Sequence, residues 1–221
     1  MPLSLLSSTP MSPFALAEFL ASAGKASEFP STPLPEFAFA GRSNVGKSSA
    51  LNALVRRHKL AFVSKTPGRT QTINFYGLGN PERRLAYLVD LPGYGYAKVP
   101  LALRGVWDEL AGGYLANRVE LAGLVLIMDA RRPFTPTDLS MLKWVQQRER
   151  PLDLLLVLLS KADKLSRTQR QATLAAVRAR LGAMPGGGEA LLFSSLSKEG
   201  VDETRALLEG WIERTSTSQE S

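Results

Sequence analysis

The chain has 221 residues, 44% hydrophobic and 21% charged, a composition that supports a buried core and excludes disorder as the main state. It has no cysteine and one histidine, His58, which excludes a disulfide scaffold, a thiol nucleophile and a zinc–cysteine site and argues against a His-rich metal centre or a Ser-His-Asp triad. The net charge of +7 is local: residues 42–104 hold eleven Lys/Arg against two acids (Glu82 and Asp90), a balance of +9 that a polyanion such as a nucleic acid would feel first, while the rest balances at −2.

Residues 1–35 are rich in Ser, Pro and Ala, with a short apolar stretch at Phe14–Leu20. Nothing basic precedes Lys25, so a secretory leader is not expected. Ser31-Thr-Pro-Leu-Pro35 lacks an amide hydrogen at two positions and reads as a linker. The expected organisation is an extension over 1–35, one folded unit over 36–214 and a small, polar, disordered tail over 215–221. Glu36–Ala40 predicts a buried strand, followed at once by Gly41-Arg-Ser-Asn-Val-Gly-Lys-Ser48, which fits G-x-x-x-x-G-K-[ST]. Leu51, Leu54 and Val55 behind it predict a helix. A glycine-rich loop between strand and helix is an anion site, because its backbone can wrap a polyphosphate while successive amides and the helix N-terminus point positive charge inward. Lys47 is placed to reach β- and γ-phosphate oxygens, and the Ser48 hydroxyl to hold Mg²⁺.

Thr72–Leu78 and Leu85–Leu91, separated by a Gly-Asn-Pro-Glu turn, predict a hairpin with one antiparallel partner. Asp90-Leu-Pro-Gly93 ends its second strand: a carboxylate at a strand tip is placed to hold Mg²⁺ through water, and Gly93 offers an amide that can approach a γ-phosphate unobstructed. Leu103, Val106, Trp107, Leu110 and Tyr114 repeat with helical spacing, and Trp107 is read as packing. Leu121–Asp129 and Leu152–Ser160 predict strands, the second running into Ser160-Lys-Ala-Asp163. A helix is expected over about 167–181. Gly186-Gly-Gly188 precedes a strand rather than a helix and is read as a connection, not a phosphate cradle. Ala190–Phe193 predicts the last strand, leading into Ser194 and Ser195, and Val201, Leu208, Trp211 and Ile212 mark a final helix. Several strands lack polar alternation, as parallel strands buried on both faces do. The fold class is α/β, a mainly parallel sheet with right-handed crossovers, helices on both faces and ligands beyond the strands' carboxyl ends.

Ser160–Asp163 resembles the base-recognition element of a GTPase, usually Asn/Thr-Lys-x-Asp, with Ser160 the departure; Phe193-Ser-Ser195 resembles the element whose amides meet the guanine O6. Gly41–Asn52, Ser64-Lys-Thr-Pro-Gly-Arg-Thr-Gln-Thr-Ile-Asn-Phe75 and Asp90-Leu-Pro-Gly-Tyr-Gly-Tyr-Ala97 are similar in order and wording to the EngB (YihA/YsxC) group of bacterial GTPases, among the TrmE-Era-EngA-YihA-Septin-like P-loop GTPases. The resemblance covers 36 to about 213. It implies a three-layer Ras-like fold with a six-stranded sheet carrying one antiparallel edge strand. It also implies GTP hydrolysis, a role in assembly of the large ribosomal subunit, a link to division and septation, and a cytoplasmic location. The residues it assigns to nucleotide are Gly41, Arg42, Ser43, Asn44, Val45, Gly46, Lys47 and Ser48; Gly68, Arg69, Thr70, Gln71 and Thr72; Asp90, Leu91, Pro92 and Gly93; Ser160, Lys161, Ala162 and Asp163; and Phe193, Ser194 and Ser195. Asp163 would accept guanine N1–H and the 2-amino group, donors that adenine lacks. Ser48 and Thr70 would be the Mg²⁺ ligands, and Lys47, Thr70, Gly93 and Asn44 the catalytic group. Thr66–Thr72 would be a switch loop ordered by GTP and released on hydrolysis.

Tyr94 stands where Ras-type proteins carry a water-orienting Gln, and a phenol cannot offer the amide's paired donor and acceptor. In related potassium-dependent GTPases an Asn at the place of Asn44 holds a monovalent cation, so K⁺ is the expected aid here; the other reading of Asn44 is a brace within its loop. Arg56, Arg57, Lys59, Lys65, Arg69, Arg83, Arg84 and Lys98 are the basic candidates for a ribosomal RNA partner, against the alternative of a solvated face. Rival readings are a non-hydrolysing, GTP-dependent rRNA-binding module and an ATP-using P-loop kinase. A monomer is the default.

Overall fold

Glu36–Gly41 (β2) is buried along its whole length, an apolar run between two helical layers apart from Glu36 at its start. The computed structural model describes residues 11–56, 60, 72–94, 108–146, 148–150, 152 and 154–217. Around β2 lie Glu18–Ala23 (β1), Ile73–Asn80 (β3), Arg83–Asp90 (β4), Leu121–Asp129 (β5), Leu154–Ser160 (β6) and Glu189–Leu192 (β7), in the order β1-β3-β4-β2-β5-β6-β7. The β4–β2–β5–β6–β7 pairs are parallel; β3 runs antiparallel to both its neighbours. The hairpin turn is tighter than expected, with Pro81 and Glu82 alone outside the strands. A bulge at Gly79, whose φ of +90° suits glycine, takes up the register shift.

The described helices are α1 (Lys47–Leu54), α2 (Gly113–Asn117, entered through a π-helical turn over Asp108–Gly112), α3 (Pro136–Gln146), α4 (Arg167–Gly182) and α5 (Val201–Thr217). Leu51 and Leu54 of α1 pack with Leu208, Trp211 and Ile212 of α5 on one face of the sheet. Tyr114 and Leu115 of α2, Met141 and Leu142 of α3, and Val177 and Leu181 of α4 cover the other. The sandwich of helix, sheet and helix is thereby complete, with Trp211 in the core as its spacing predicts. Leu103, Val106 and Trp107 lie outside the described residues. The helix α3 was not singled out by spacing, yet its start is written locally: Pro136 at its first position, and Asp138 accepting from the Thr135 amide at 2.9 Å.

The sheet has seven described strands where the resemblance implies six, and β3 is not at the edge. The additional strand is β1, from the N-terminal extension. Its apolar content is modest, and its order comes from partners distant in sequence. Phe14 and Ala17 are buried ahead of it, Phe19 meets Tyr76 edge-on at 5.8 Å, Glu18 forms an ion pair with Arg84, and Ser12 Oγ donates to Glu209 at 2.6 Å. Residues 31–35 have no regular strand or helix, but the Tyr87 amide donates to the Pro35 carbonyl at 2.9 Å and Arg118 Nη2 to that of Pro30 at 2.8 Å.

Candidate nucleotide-binding site

The loop after β2 turns so tightly that a Cβ on Gly41 would lie 2.8 Å from Val45 Cγ1 and 3.0 Å from the Ile127 carbonyl oxygen. Gly46, at φ +107°, delivers the chain into α1, so Lys47 and Ser48 stand in the first helical turn with their amides unpaired by the helix. The pairing of β2 with β4 sets Asp90 opposite Phe39, and the Lys47 ammonium is ion-paired to the Asp90 carboxylate. Gly93 comes so close that a Cβ there would meet Ser43 Oγ at 3.0 Å and Ser43 Cα at 3.3 Å. Two backbone bonds close this seam: Tyr94 N–H donates to the Gly41 carbonyl at 3.2 Å, and Ser43 N–H to that of Tyr94 at 3.1 Å.

The Tyr94 side chain reaches the start of α3. Its hydroxyl donates at 3.0 Å to Asp138, a carboxylate wholly buried at the start of α3. Asp138 also accepts from Thr135 N–H and Oγ1 and lies 3.4 Å from Arg42 Nε. Burial first, and the Asp138 charge second, push the Tyr94 phenol far above its ordinary value, with Arg42 opposing. The phenol therefore stays neutral and engaged.

At the other end, Ser160 Oγ lies 2.7 Å from the Val45 carbonyl and 3.0 Å from that of Met128, tying the end of β6 to the phosphate loop and to β5. Ser160, the departure from Asn or Thr, thus braces the phosphate loop. Lys161, in a left-handed conformation (φ +59°), spans the site: its ammonium donates to the Asn44 carbonyl at 2.9 Å and to Asp129 at 3.2 Å. Arg131 first, then Lys161, holds the Asp129 carboxyl well below the usual range. Asp163 accepts from Ser194 Oγ at 2.7 Å, a bond that more than Lys164 holds it below its ordinary value. Ala162 N–H donates to the Phe193 carbonyl at 3.1 Å, joining the two base-side loops.

Gly41–Ser48, Asp90–Gly93, Ser160–Asp163 and Phe193–Ser195 are therefore brought together at the carboxyl ends of β2, β4, β6 and β7. Thr72 is half-buried at the foot of β3; Gly68, Arg69, Thr70 and Gln71 lie outside the described residues. Asn44 sits exposed in a left-handed turn (φ +62°), and among the described residues its side-chain amide makes no hydrogen bond. The Arg42 guanidinium goes to Asp138, which leaves its backbone at the loop. Arg84 faces Glu18 beside Gly77, not an outside partner; Arg83 is exposed and Arg56 is 3.8 Å from Asp202. Arg57, Lys59, Lys65 and Lys98 fall outside the described residues. Asp129 and Asp138 were not picked out from sequence. The available signal for Asp129 was an acid at the tip of a buried central strand, and for Asp138 a Thr-Pro-x-Asp helix start.

Among the described residues no helix is long and apolar enough to cross a membrane. Residues 36–161 match the family model described as a 50S ribosome-binding GTPase. A probable GTP-binding protein EngB of Methylobacillus flagellatus is 50% identical over 199 residues, covering 90% of this chain and 93% of that protein. Its counterpart in Nitrosomonas europaea is 49% identical over 210 residues, covering 94% and 91%. A crystal structure of a probable GTP-binding protein EngB superposes with a TM-score of 0.62 at 21% identity, covering 81% of this chain and 99% of that one. Era in complex with MgGDPNP and nucleotides 1506–1542 of 16S ribosomal RNA gives 0.61 at 24%, covering 81% and 56%.

Proposed function

Since the chain belongs to the EngB family of GTP-binding proteins, a group of P-loop GTPases, we propose that it is a GTP-hydrolysing switch in assembly of the large ribosomal subunit, linked to division and septation. The observation that carries this reading is the meeting of the phosphate loop, Asp90–Gly93 and the Asp163 loop at one end of the sheet.

The roles follow from chemistry. Lys47 exchanges the Asp90 carboxylate for β- and γ-phosphate oxygens when GTP enters. The freed carboxylate and the Ser48 hydroxyl are hard oxygen donors, and among the described residues no three His, Cys, Asp or Glu side chains cluster to cage a metal. That suits Mg²⁺, which is held by few protein groups plus substrate phosphates: Ser48, Thr70 and, through water, Asp90. When bound, the ion would supply Lewis-acid stabilisation of negative charge on the phosphate oxygens. Gly93 N–H reads the γ-phosphate. Asp163 reads the guanine donors and Lys161 lies along the base, with Asp129 fixing its ammonium.

With the Tyr94 phenol engaged by Asp138 rather than offered to water, hydrolysis needs another aid, and the Asn44 amide, without a hydrogen bond among the described residues, supports K⁺ in that role. The same Tyr94 geometry favours a second reading, an rRNA-binding module that holds GTP without hydrolysing it. The family model's description and the Era complex with 16S rRNA nucleotides support an RNA partner in either case. Calorimetric titration with GTP or GDP and Mg²⁺ tests the nucleotide reading; absence of heat overturns it. ATP is expected not to compete, and Asp163→Ala to weaken GTP and GDP together. Single turnover with ribosomal particles in K⁺ separates switch from passive module, and equal rates in Na⁺, with no loss in Asn44→Ala, remove the K⁺ role. Equal affinity for large-subunit precursors with GTP, GDP or no nucleotide removes the switch.

A further inference from the structure

The basic excess of residues 42–104 hides a second one. Residues 130–182 hold eleven Lys/Arg against four acids, a balance of +7. The structure concentrates part of it on α4, whose sixteen residues include Arg167, Arg170, Arg178 and Arg180 and no acid. By contrast, α5 carries Asp202, Glu203, Glu209 and Glu213 against Arg205 and Arg214. Charge is therefore segregated between helices. The hairpin β3–β4 and the helix α4 also lie toward opposite ends of the strand order, because α4 connects β6 to the edge strand β7.

Most cations elsewhere on this surface are already answered: Arg131 by Asp129, Lys164 by Asp163, Arg170 by Glu199. Among the described residues no carboxylate pairs with Arg132, Arg167, Arg178 or Arg180, and all four are exposed. Val177 and Leu181 set the inward stripe of α4. Arg167 and Arg178, eleven residues and three turns apart, fall on one flank of it. Arg180 falls on the other, its guanidinium 4.6 Å from the centre of the Phe134 ring, which brings α4 to the loop bearing Arg132. Between the flanks the outward ridge is Ala172, Ala175, Ala176 and Ala179, all exposed. Side chains that short let a sugar–phosphate backbone approach the helix closely.

Two of these arginines are also ordered before anything binds. Arg178 donates through Nε and Nη2 to the Ala190 carbonyl at 3.2 and 3.1 Å, leaving three of its five N–H groups unspent. Arg180 rests on Phe134, so less side-chain freedom is lost when it meets a phosphate.

We propose that α4 and the Arg132 loop form an RNA-docking face, in which Arg132, Arg167, Arg178 and Arg180 neutralise backbone phosphates. The proposal rests on the reading of the chain as ribosome-directed and adds where the RNA sits.

The test is equilibrium binding of the full chain, with Mg²⁺ and a non-hydrolysable GTP analogue, to purified bacterial large ribosomal subunits across a salt series. Each phosphate contact contributes about 0.7–0.9 to the slope of log K against log salt. The variant Arg132→Ala/Arg167→Ala/Arg178→Ala/Arg180→Ala is expected to lose about 3 from that slope while keeping its affinity for the GTP analogue. Arg132→Gln/Arg167→Gln, whose guanidinium groups make no hydrogen bond or ion pair among the described residues, guards against a folding artefact and is expected to lose about half as much. An unchanged slope in both variants, with wild-type binding intact, overturns the docking face and leaves the ribosome reading standing. No binding by the wild-type chain in any nucleotide state overturns both. Loss confined to anionic-lipid vesicles assayed in parallel reassigns the face to a membrane and overturns the RNA proposal.

Discussion

Tyr94 and Asp138, 44 residues apart, meet at 3.0 Å, and through that bond the residue after Gly93 is fastened to the start of α3. The same carboxylate lies 3.4 Å from Arg42 of the phosphate loop. One buried charge thus joins three elements, and removing one of its donors has a stated cost. Tyr94→Phe is expected to destabilise the fold by about 1.5–3 kcal/mol, the range for a hydrogen bond to a charged group, read as a lower urea midpoint at unchanged slope. Because the phenol faces Asp138, turnover per bound GTP is expected to fall by less than the roughly 10²-fold that loss of a general acid or base costs. A larger loss would return Tyr94 to the hydrolytic step.

Ser160 braces both base-side and phosphate-side loops with one hydroxyl. Its contacts are to carbonyls that exist whichever nucleotide is bound. Ser160→Ala is expected to weaken GTP and GDP by the same factor, about fivefold, equivalent to roughly 1 kcal/mol for one neutral hydrogen bond. Competition titrations with the two nucleotides check it; selective loss of GTP would contradict it.

Arg205 reaches from α5 to the end of α1, donating Nε to the Leu54 carbonyl at 2.6 Å and Nη2 to that of Ala53 at 2.7 Å. Both carbonyls lie at the C-terminal end of α1, where that of Ala53 also accepts from the Arg56 amide at 3.4 Å, and the arginine covers them in a buried position. Arg205→Met keeps the bulk and removes the donors. We expect a loss of about 2–4 kcal/mol in chemical denaturation, with α1 amides the first to gain hydrogen exchange.

Burial raises three phenols far above their ordinary value: Tyr76, with Asp90 adding to it; Tyr94, with Asp138; and Tyr114, with Glu36. Above about pH 10 the unfolded chain releases these protons while the folded chain keeps them, so the folded state binds more protons and stability falls as pH rises. Below that pH their contribution is fully present. An alkaline titration is expected to show their phenolate absorbance appearing only with loss of tertiary structure. Asp129 has the opposite sign. Its lowered value contributes stability above the ordinary carboxylate range that is lost as pH falls below it, and Asp129→Asn is expected to flatten that acid limb.

The parts of the fold legible in the sequence are those whose signal is local. Leu121–Asp129 is legible with its observed bounds because a short, continuous apolar run is what a strand covered on both faces carries. Gly41–Ser48 was read as an anion loop because spacing and flanking periodicity agree, and Gly41 and Gly46 prove to be positions of close approach and positive φ. What escaped depends on distant partners. Glu18 and Arg84 are 66 residues apart, so their ion pair, and the strand it helps to hold, left no mark on either neighbourhood. For the same reason Arg84 counted toward an outward basic surface although it faces inward. Asp138 looked like a helix-start residue and is one; its bonds to Tyr94 and Arg42 exist only after the sheet assembles.

The strand β1 has a consequence for how copies of this molecule meet. By lying along β3 it pairs with Ile73–Gly77, five of the eight residues of a strand whose amides and carbonyls would otherwise template a stranger's backbone. The opposite border, β7, is four residues long. A nick just before Gly24 that released β1 would exchange its six-residue outer border for the eight-residue border of β3 and make the sheet more adhesive.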